Sequence, residues 1–538
     1  MQPTTPPNVR LVENFIAVCR RRKWAPKVAD STGAEMTGGQ LLTRTLVLRR
    51  LLRRHVLSPV ERTVAILLPP SLGGVVANMA LAVDRRISAN LNYTTTSAVL
   101  NECIRQAGVR HVLTSRRFLE KMEFQLDAEL VLLEDFVAQV TLADKILAAA
   151  QAYCWPATLL ARSLSLSETK NDDVATVIFT SGSTGQPKGV MLTHGNIAHN
   201  VHAVEDAIRL TSHDVLLGIL PFFHSFGYTI TLWAVMGIDV KGAYHFNPLD
   251  ARQVGKLCRD HGGTLLLATP TFLRSYVRRV EPEDFRSLDV VVTGAEKLPR
   301  DISDAFEQKF GVRPAEGYGT TELSPLVSVN IPKNRSTGGQ VLEAKEGTVG
   351  RPVEHVEAKV VHLDTGKDLG IGQAGMLLIK GPNVMKGYLG RDDLTAEVIK
   401  DGWYVTGDVA IIDADGFIQI TGRESRFSKI GGEMVPHIMI EETLAQVVGI
   451  ADDGAPRVAV TAVPDLRKGE RLIVLHTHLE QSPEELNRAL AAAGLPNLFI
   501  PSPDNYLELD QLPILGSGKL DLRAIKQLAL QRFDQDST

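Results

Sequence analysis

The chain has 538 residues, with 58 Lys and Arg against 62 Asp and Glu, a formal net charge of −4, and 44% hydrophobic side chains. That length holds roughly three or four domain-sized units, and the near balance of charge argues against nucleic acid as the main partner. The cysteines Cys19, Cys103, Cys154 and Cys258 are scattered without paired spacing, which reads as reduced, cytosolic thiols and against a disulfide frame or zinc site.

The amino terminus, Met-Gln-Pro-Thr-Thr-Pro-Pro, carries no apolar run, so no secretory signal is expected. Residues 41–56 (Leu-Leu-Thr-Arg-Thr-Leu-Val-Leu-Arg-Arg-Leu-Leu-Arg-Arg-His-Val) repeat leucine at three- and four-residue spacing beside a strongly basic face, which predicts a helix. That face is either an ordinary solvated one or a docking surface for an acidic carrier protein or anionic lipid. Short apolar strands then alternate with helices: Thr63–Leu68, a helix over 72–83, Val109–Thr114, Val174–Phe179, Val215–Leu220, Thr264–Ala268 and Val290–Thr293. Such alternation implies largely parallel sheets with helices on both faces.

Within this region no stretch reaches the ~18 uninterrupted apolar residues of a membrane span. The nearest, Ile146 to Ala161, contains Gln151 and is broken by Pro156. It reads as a packed helix, with a surface-seeking amphipathic piece as the alternative. From about residue 345 the strands become shorter and Gly-punctuated (Ala358–Leu363, Gly375–Lys380, Val409–Asp413, Gly416–Ile420), which suits an antiparallel, barrel-like subdomain. A last unit begins near Arg423, with strands Val458–Val463 and Leu472–Thr477, a helix Ser482–Ala493 and a terminal helix from about Asp521.

The run Thr180-Ser-Gly-Ser-Thr-Gly-Gln-Pro-Lys-Gly189 follows the apolar Val177-Ile178-Phe179. A Gly-rich loop of this kind turns several backbone N–H groups toward one point, and such a concavity binds phosphate oxygens. Ser183, Thr184 and Lys188 add donors. The glycines at 182, 185 and 189 do not have the common phosphate-loop spacing, so this is a different nucleotide loop. Gly294-Ala295-Glu296 follows a strand at its carboxyl end, where open α/β sheets bind ligands.

These residues, with Pro221-Phe-Phe-His224-Ser-Phe-Gly227, Tyr318-Gly-Thr-Thr-Glu322, Tyr404-Val-Thr-Gly-Asp408, Gly422-Arg423 and Pro513-Ile-Leu-Gly-Ser-Gly-Lys519, resemble the motifs of the adenylate-forming superfamily. That superfamily holds acyl-CoA and acyl-carrier-protein synthetases, peptide-synthetase adenylation domains and luciferases. The resemblance spans about residues 10 to 530. It implies an ATP site made by Thr180, Ser181, Gly182, Ser183, Thr184, Gly185 and Lys188 at the phosphates, with Thr184 counted among the catalytic residues. Gly294, Ala295 and Glu296 line the adenine pocket. Tyr318 stacks on adenine within the run Gly319-Thr320, Thr321 contacts the α-phosphate, and Glu322 ligates Mg²⁺, a hard cation that takes one or two carboxylates plus substrate phosphates. Asp408 and Arg423 reach the ribose; a carboxylate can accept from two hydroxyls at once. His224 either orients the acyl carboxylate or gates the thiol's route. The apolar stretch Tyr228 to Val240, with Trp233 and Met236, is either an acyl tunnel or plain core.

A carboxylate is a poor electrophile, and joining it to AMP supplies a good leaving group. On the resemblance Lys519 bridges the carboxylate and the α-phosphate, although Ile514 and Leu515 stand where the family has a basic residue and Thr. The stretch 422–435 resembles the hinge between domains, with Ser425 in place of the usual Asp; Lys429, Gly431 and Gly432 are counted with the hinge and pantetheine path, since paired glycines let an arm approach the backbone.

The expected fold is α/β: a large N-terminal domain (1–422) of two α/β sheets plus a β-barrel-like subdomain (about 345–421), and a small mobile α+β C-terminal domain (423–538). Residues 426–436 and 515–521 are most similar to the synthetase half of bacterial acyl-acyl-carrier-protein synthetase/lysophospholipid acyltransferases. The acyltransferase half of those proteins is absent, which implies a stand-alone synthetase. The expected activity is ATP- and Mg²⁺-dependent activation of a fatty acid, of long chain, with transfer to the phosphopantetheine thiol of acyl carrier protein. CoA as acceptor, an aryl or short-chain acid, or a non-catalytic nucleotide-binding relative are the alternatives. The expected location is cytoplasmic, with peripheral contact at the inner face of a membrane left open.

Overall fold

The computed structural model describes residues 10–120, 122–181, 186–337, 342–430, 433–449, 456–465, 467–514 and 520–533. The chain divides into two compact units, one of residues 1–359, 378–405 and 413–419, the other of 360–377, 406–412 and 420–538. The continuous part of the second unit thus begins three residues before the expected boundary at 423.

The first unit contains a nine-stranded sheet, in the spatial order Arg351–Pro352, Leu326–Val329, Ala315–Gly319, Val290–Thr293, Leu265–Ala268, Val215–Gly218, Lys241–Tyr244, Pro26–Asp30 and Glu35–Thr37. Its middle strands are parallel, as in the register Leu265↔Val290 to Ala268↔Thr293, and antiparallel strands close both ends. The strands Leu265–Ala268 and Val290–Thr293 are buried at every position. Continuous apolar runs of this kind belong to parallel strands covered on both faces. A second, seven-stranded sheet runs Gly387–Tyr388, Pro187–Thr193, Val174–Ser181, Ile87–Asn90, Thr63–Ile66, His111–Thr114, Glu129–Leu132. The helix Leu72–Val83 covers it and is buried almost all round, which the apolar run 72–83 requires.

Two expectations are sharpened here. The basic helix is present as Gly38–His55, opened by a capping box in which Thr37 and Gln40 satisfy each other's backbone N–H groups. Four of its arginines are ion-paired, and Arg44, Arg53 and Arg54 are exposed. Arg49 and Arg53 pair with Asp84, and Arg50 and Arg54 pair with Asp144. The stretch around Ile146 forms the helices Leu142–Tyr153 and Ala157–Ser163, interrupted at Pro156. The short strands Glu357–Val361, Gly375–Lys380, Trp403–Ile412 and Ile418–Arg423 follow the Gly-punctuated pattern.

In the second unit, strands Glu433–Pro436, Phe427–Ile430, Gly469–His476 and Val458–Asp465 form an antiparallel sheet, with Tyr506–Glu508 added in parallel. Alternation along the central strands divides two cores. Val458, Val460, Leu472 and Val474 face the helices His437–Val448 and Pro483–Ala492, whereas Ala459, Val463, Ile473 and Leu475 face Leu522–Phe533.

Candidate active site

In the first unit the strand Val174–Ser181 pairs antiparallel with Pro187–Thr193, Thr180 opposite Lys188 and Ser181 opposite Pro187. This pairing fixes both ends of the Gly-rich loop. Gly182, Ser183, Thr184 and Gly185, and the side chain of Ser181, lie outside the described residues. Gly189 is closely packed: a Cβ there would stand 3.0 Å from Val177, 3.1 Å from Phe179 and 3.3 Å from Leu389. The strand Gly387–Tyr388 adds to the hairpin's edge, with Tyr388 opposite Val190. The Lys188 ammonium stands 5.3 Å from the centre of the Tyr388 ring, a separation at which a cation is attracted to the ring face.

Tyr318-Gly-Thr-Thr-Glu322 occupies the end of Ala315–Gly319 and the turn Thr321–Leu323. A Cβ on Gly319 would fall 1.9 Å from the Pro325 carbonyl oxygen, so only glycine lets the returning strand close. The Glu322 carboxylate accepts from the Tyr388 hydroxyl at 2.9 Å, and the buried Tyr404 phenol interacts with both Tyr388 and Glu322. Burial, with the negative charge of Glu322 behind it, pushes both phenols upward, so both remain protonated donors. The Glu322 carbonyl also accepts from the Met385 N–H at 2.8 Å.

His224 is exposed, its ring 4.5 Å from that of Phe223. The next residue, Ser225, is buried and donates to Thr321 Oγ1 at 3.2 Å. A π-helix, Phe226–Ala234, follows; such helices are rare and are found often at functional sites. From Tyr228 to Met236 the chain is buried throughout; Tyr228 shares a 2.9 Å hydrogen bond with Ser88, and the Thr231 carbonyl accepts from Tyr244. Gly294-Ala295-Glu296 leaves the carboxyl end of Val290–Thr293. Ala295 takes φ +71°, Glu296 accepts from Thr271 at 3.0 Å, and a Cβ on Gly294 would lie 3.5 Å from both Phe226 and the Gly317 carbonyl. Contacts therefore link Lys188 to Tyr388 and Glu322, Thr321 to Ser225, and Gly294 to the strand of Tyr318.

In the second unit Asp408 is buried and pairs with Arg423 Nε at 2.9 Å. Its backbone N–H donates to Thr406 Oγ1, which donates to the Leu377 carbonyl. Ser425 lies in the turn Glu424–Arg426, whose Arg426 is buried against Glu441 and the Val460 carbonyl. Lys429 lies on Phe427–Ile430, opposite Met434. The side chains of Ser425 and Lys429, and the residues Gly431, Gly432 and Lys519, lie outside the described residues. Near Lys519, Ile514 pairs with Leu520, and Asp521 N–H donates to the Pro513 carbonyl.

Among the described residues no three His, Cys, Asp or Glu side chains converge as an all-protein metal site. Glu322, a hard oxygen ligand held by a phenol, fits a cation shared with a polyphosphate, which is the usual manner of Mg²⁺. The residues to which sequence reading gave no role are Tyr388, Ser225 and the Tyr404 hydroxyl. Tyr404 and Ser225 carried a signal, each lying inside a quoted motif.

The model of the AMP-binding enzyme family matches residues 15–389. The chain is 31% identical over 365 residues to a long-chain-fatty-acid–CoA ligase of Bacillus subtilis, covering 65% of this chain and 60% of the relative. It is 30% identical over 373 residues to a long-chain-fatty-acid–CoA ligase of Salmonella typhimurium, covering 68% and 63%. The match thus spans less than two thirds of these relatives' own length. Among solved structures, ATP-bound MatB from Rhodopseudomonas palustris superposes with a TM-score of 0.76 at 25% identity, over 96% of this chain and 98% of that one. On the extent of the family match and the shared fold, the chain belongs to the AMP-binding enzymes.

Proposed function

We propose that the chain is an ATP-dependent acid–thiol ligase that activates a fatty acid, of long chain, as acyl-AMP. In the first half-reaction a carboxylate oxygen attacks the α-phosphorus of ATP and pyrophosphate leaves. In the second a thiol sulfur attacks the acyl carbon and AMP leaves with the former bond electrons. The observation that carries this reading is the contact chain Lys188–Tyr388–Glu322 beside the Gly-rich hairpin, which sets a cation and a held carboxylate next to a loop suited to phosphate. Mg²⁺ held by Glu322 would neutralise charge on the phosphates. Thr321 and Tyr318 would contact the α-phosphate and adenine, and Asp408 with Arg423 the ribose. His224 would orient the acyl carboxylate or gate the thiol's route.

Lys519 is proposed to bridge carboxylate and α-phosphate in the first step. The segment 423–538 then swings about 423–426, removes Lys519 and offers Lys429, Gly431 and Gly432 to a pantetheine arm. Two different constellations must reach one acyl carbon in turn, and a hinge between rigid bodies is the economical way to do so. The names of the relatives support a long-chain acid and CoA as acceptor; the residues at 426–436 and 515–521 support a carrier protein. Acyl transfer with a fatty-acid length series, run in parallel against CoA and holo acyl carrier protein, tests both. Turnover with long-chain acids and one preferred thiol is expected. No thioester with either acceptor would overturn the reading.

A further inference from the structure

The helix Leu142–Tyr153 is amphipathic in the reverse sense to an ordinary surface helix. Such a helix turns its large apolar residues inward and its charges to water. Here the buried face carries Asp144, Ala148 and Ala152. Asp144 caps the helix through Thr141 and receives Arg54 through both carboxylate oxygens, at 2.7 and 3.1 Å. Gln151 accepts from Arg50 at 3.2 Å. These polar contacts fix which face looks inward.

The outward face is therefore left with Leu142 at 73% exposure, Ile146 at 61% and Leu147 at 42%. Residues 142, 146 and 153 follow one helical stripe. At its end Tyr153 packs against Trp24, ring centres 4.7 Å apart and the planes tilted by 40°, and Trp24 is itself 74% exposed. Beyond Pro156 the next helix adds Leu159 at 47%. The exposed charges on the two helices are cationic, Lys145 and Arg162, and Lys23 lies 5.9 Å from the centre of the Trp24 ring; the exposed acids Glu134, Asp135 and Glu168 lie in the adjoining segments.

We propose that this surface docks on an anionic phospholipid bilayer, the helix lying flat with Leu142, Ile146 and Trp24 in the headgroup boundary. A ring such as Trp24, apolar in body with one polar N–H, suits that boundary. The flanking cations meet anionic headgroups while the apolar stripe supplies burial, the combination that holds interfacial helices. The patch stands on residues apart from the site described above, so it holds or fails independently of the ligase reading.

The test uses the full chain with vesicles of phosphatidylcholine alone and of phosphatidylcholine mixed with phosphatidylglycerol. Cys154, exposed beside Tyr153 while Cys19, Cys103 and Cys258 are buried, takes an environment-sensitive fluorophore. Co-sedimentation with the anionic vesicles, a blue-shifted probe and loss of binding in high salt are expected. Leu142→Glu with Ile146→Glu should weaken binding at least about tenfold with an unchanged melting temperature, since both side chains already face water. Binding indifferent to these substitutions, or no binding to either vesicle, would overturn the proposal. So would a concentration-dependent dimer, seen by light scattering and abolished by the same substitutions, because the occupant would then be a second copy.

Discussion

The Tyr388 hydroxyl donates to Glu322 across 2.9 Å, and the ring lies beneath Lys188. Removing that hydroxyl takes away one bond to a charged acceptor, worth about 1.5–3 kcal/mol, and frees the carboxylate to turn. Tyr388→Phe should therefore raise the Mg²⁺ concentration needed for half-maximal adenylation by roughly tenfold with little change in fold, because the ring and its stacking remain. Titrating Mg²⁺ in the adenylation assay checks this; an unchanged Mg²⁺ requirement would show that Tyr388 does not position Glu322. Glu322 itself was legible in sequence, since it sits inside a run that repeats family residues in order. Tyr388 was not. Gly-Tyr is a common dipeptide, and its role arises only when the strand Gly387–Tyr388 pairs with Pro187–Thr193. Ser225 stood inside the quoted motif 221–227, but its contact was hidden, its partner Thr321 being remote in sequence.

At the scale of elements, the strand Pro26–Asp30 carries a fully buried Lys27, whose ammonium donates to the Ile238 and Val240 carbonyls at 2.8 and 2.6 Å. Burial drives this amine down to about 7. An amine depressed on folding is protonated in the unfolded chain over a range where the folded chain has released the proton. The unfolded chain then binds more protons between about pH 7 and 10.5, and stability must rise with pH across that window. The full effect is on the order of 5 kcal/mol. Lys27→Met leaves two carbonyls unpaired, which costs about 1–3 kcal/mol each, so at neutral pH the loss and the relief nearly offset. Chemical denaturation should give similar stabilities near pH 7, with the wild type gaining on the variant as pH rises. A difference independent of pH would mean that Lys27 titrates normally.

Element prediction succeeded where burial was uniform. The runs 72–83 and Val290–Thr293 needed only apolar residues to declare themselves. Pro187–Thr193 was missed because Pro-Lys-Gly reads as loop, and Ala315–Gly319 because two of its five residues are glycine. The helix Leu142–Tyr153 was legible as a helix, but its buried face was not. The pairing of Asp144 with Arg54 reversed the side that hydropathy alone would choose.

For the whole molecule, the β/α alternation announced the two sheets, and the change of pattern after 345 announced the short strands from Glu357 to Arg423. The division into units is less simple than a single boundary, since the second takes in 360–377 and 406–412 as well as 420–538. No local signal marks those two short stretches as belonging with the carboxyl-terminal part. The proposed reaction draws on residues from both units, Glu322 from the first and Asp408, Arg423 and Lys519 from the second. Its central claim is that acyl-AMP forms with Lys519 stabilising the transition state. Fatty-acid-dependent exchange of pyrophosphate into ATP, measured for wild type and Lys519→Ala, addresses that claim most directly. The account predicts exchange that requires the fatty acid and falls by about 10²–10³ in the variant. Equal exchange in the two proteins, or exchange indifferent to the acid, would contradict it.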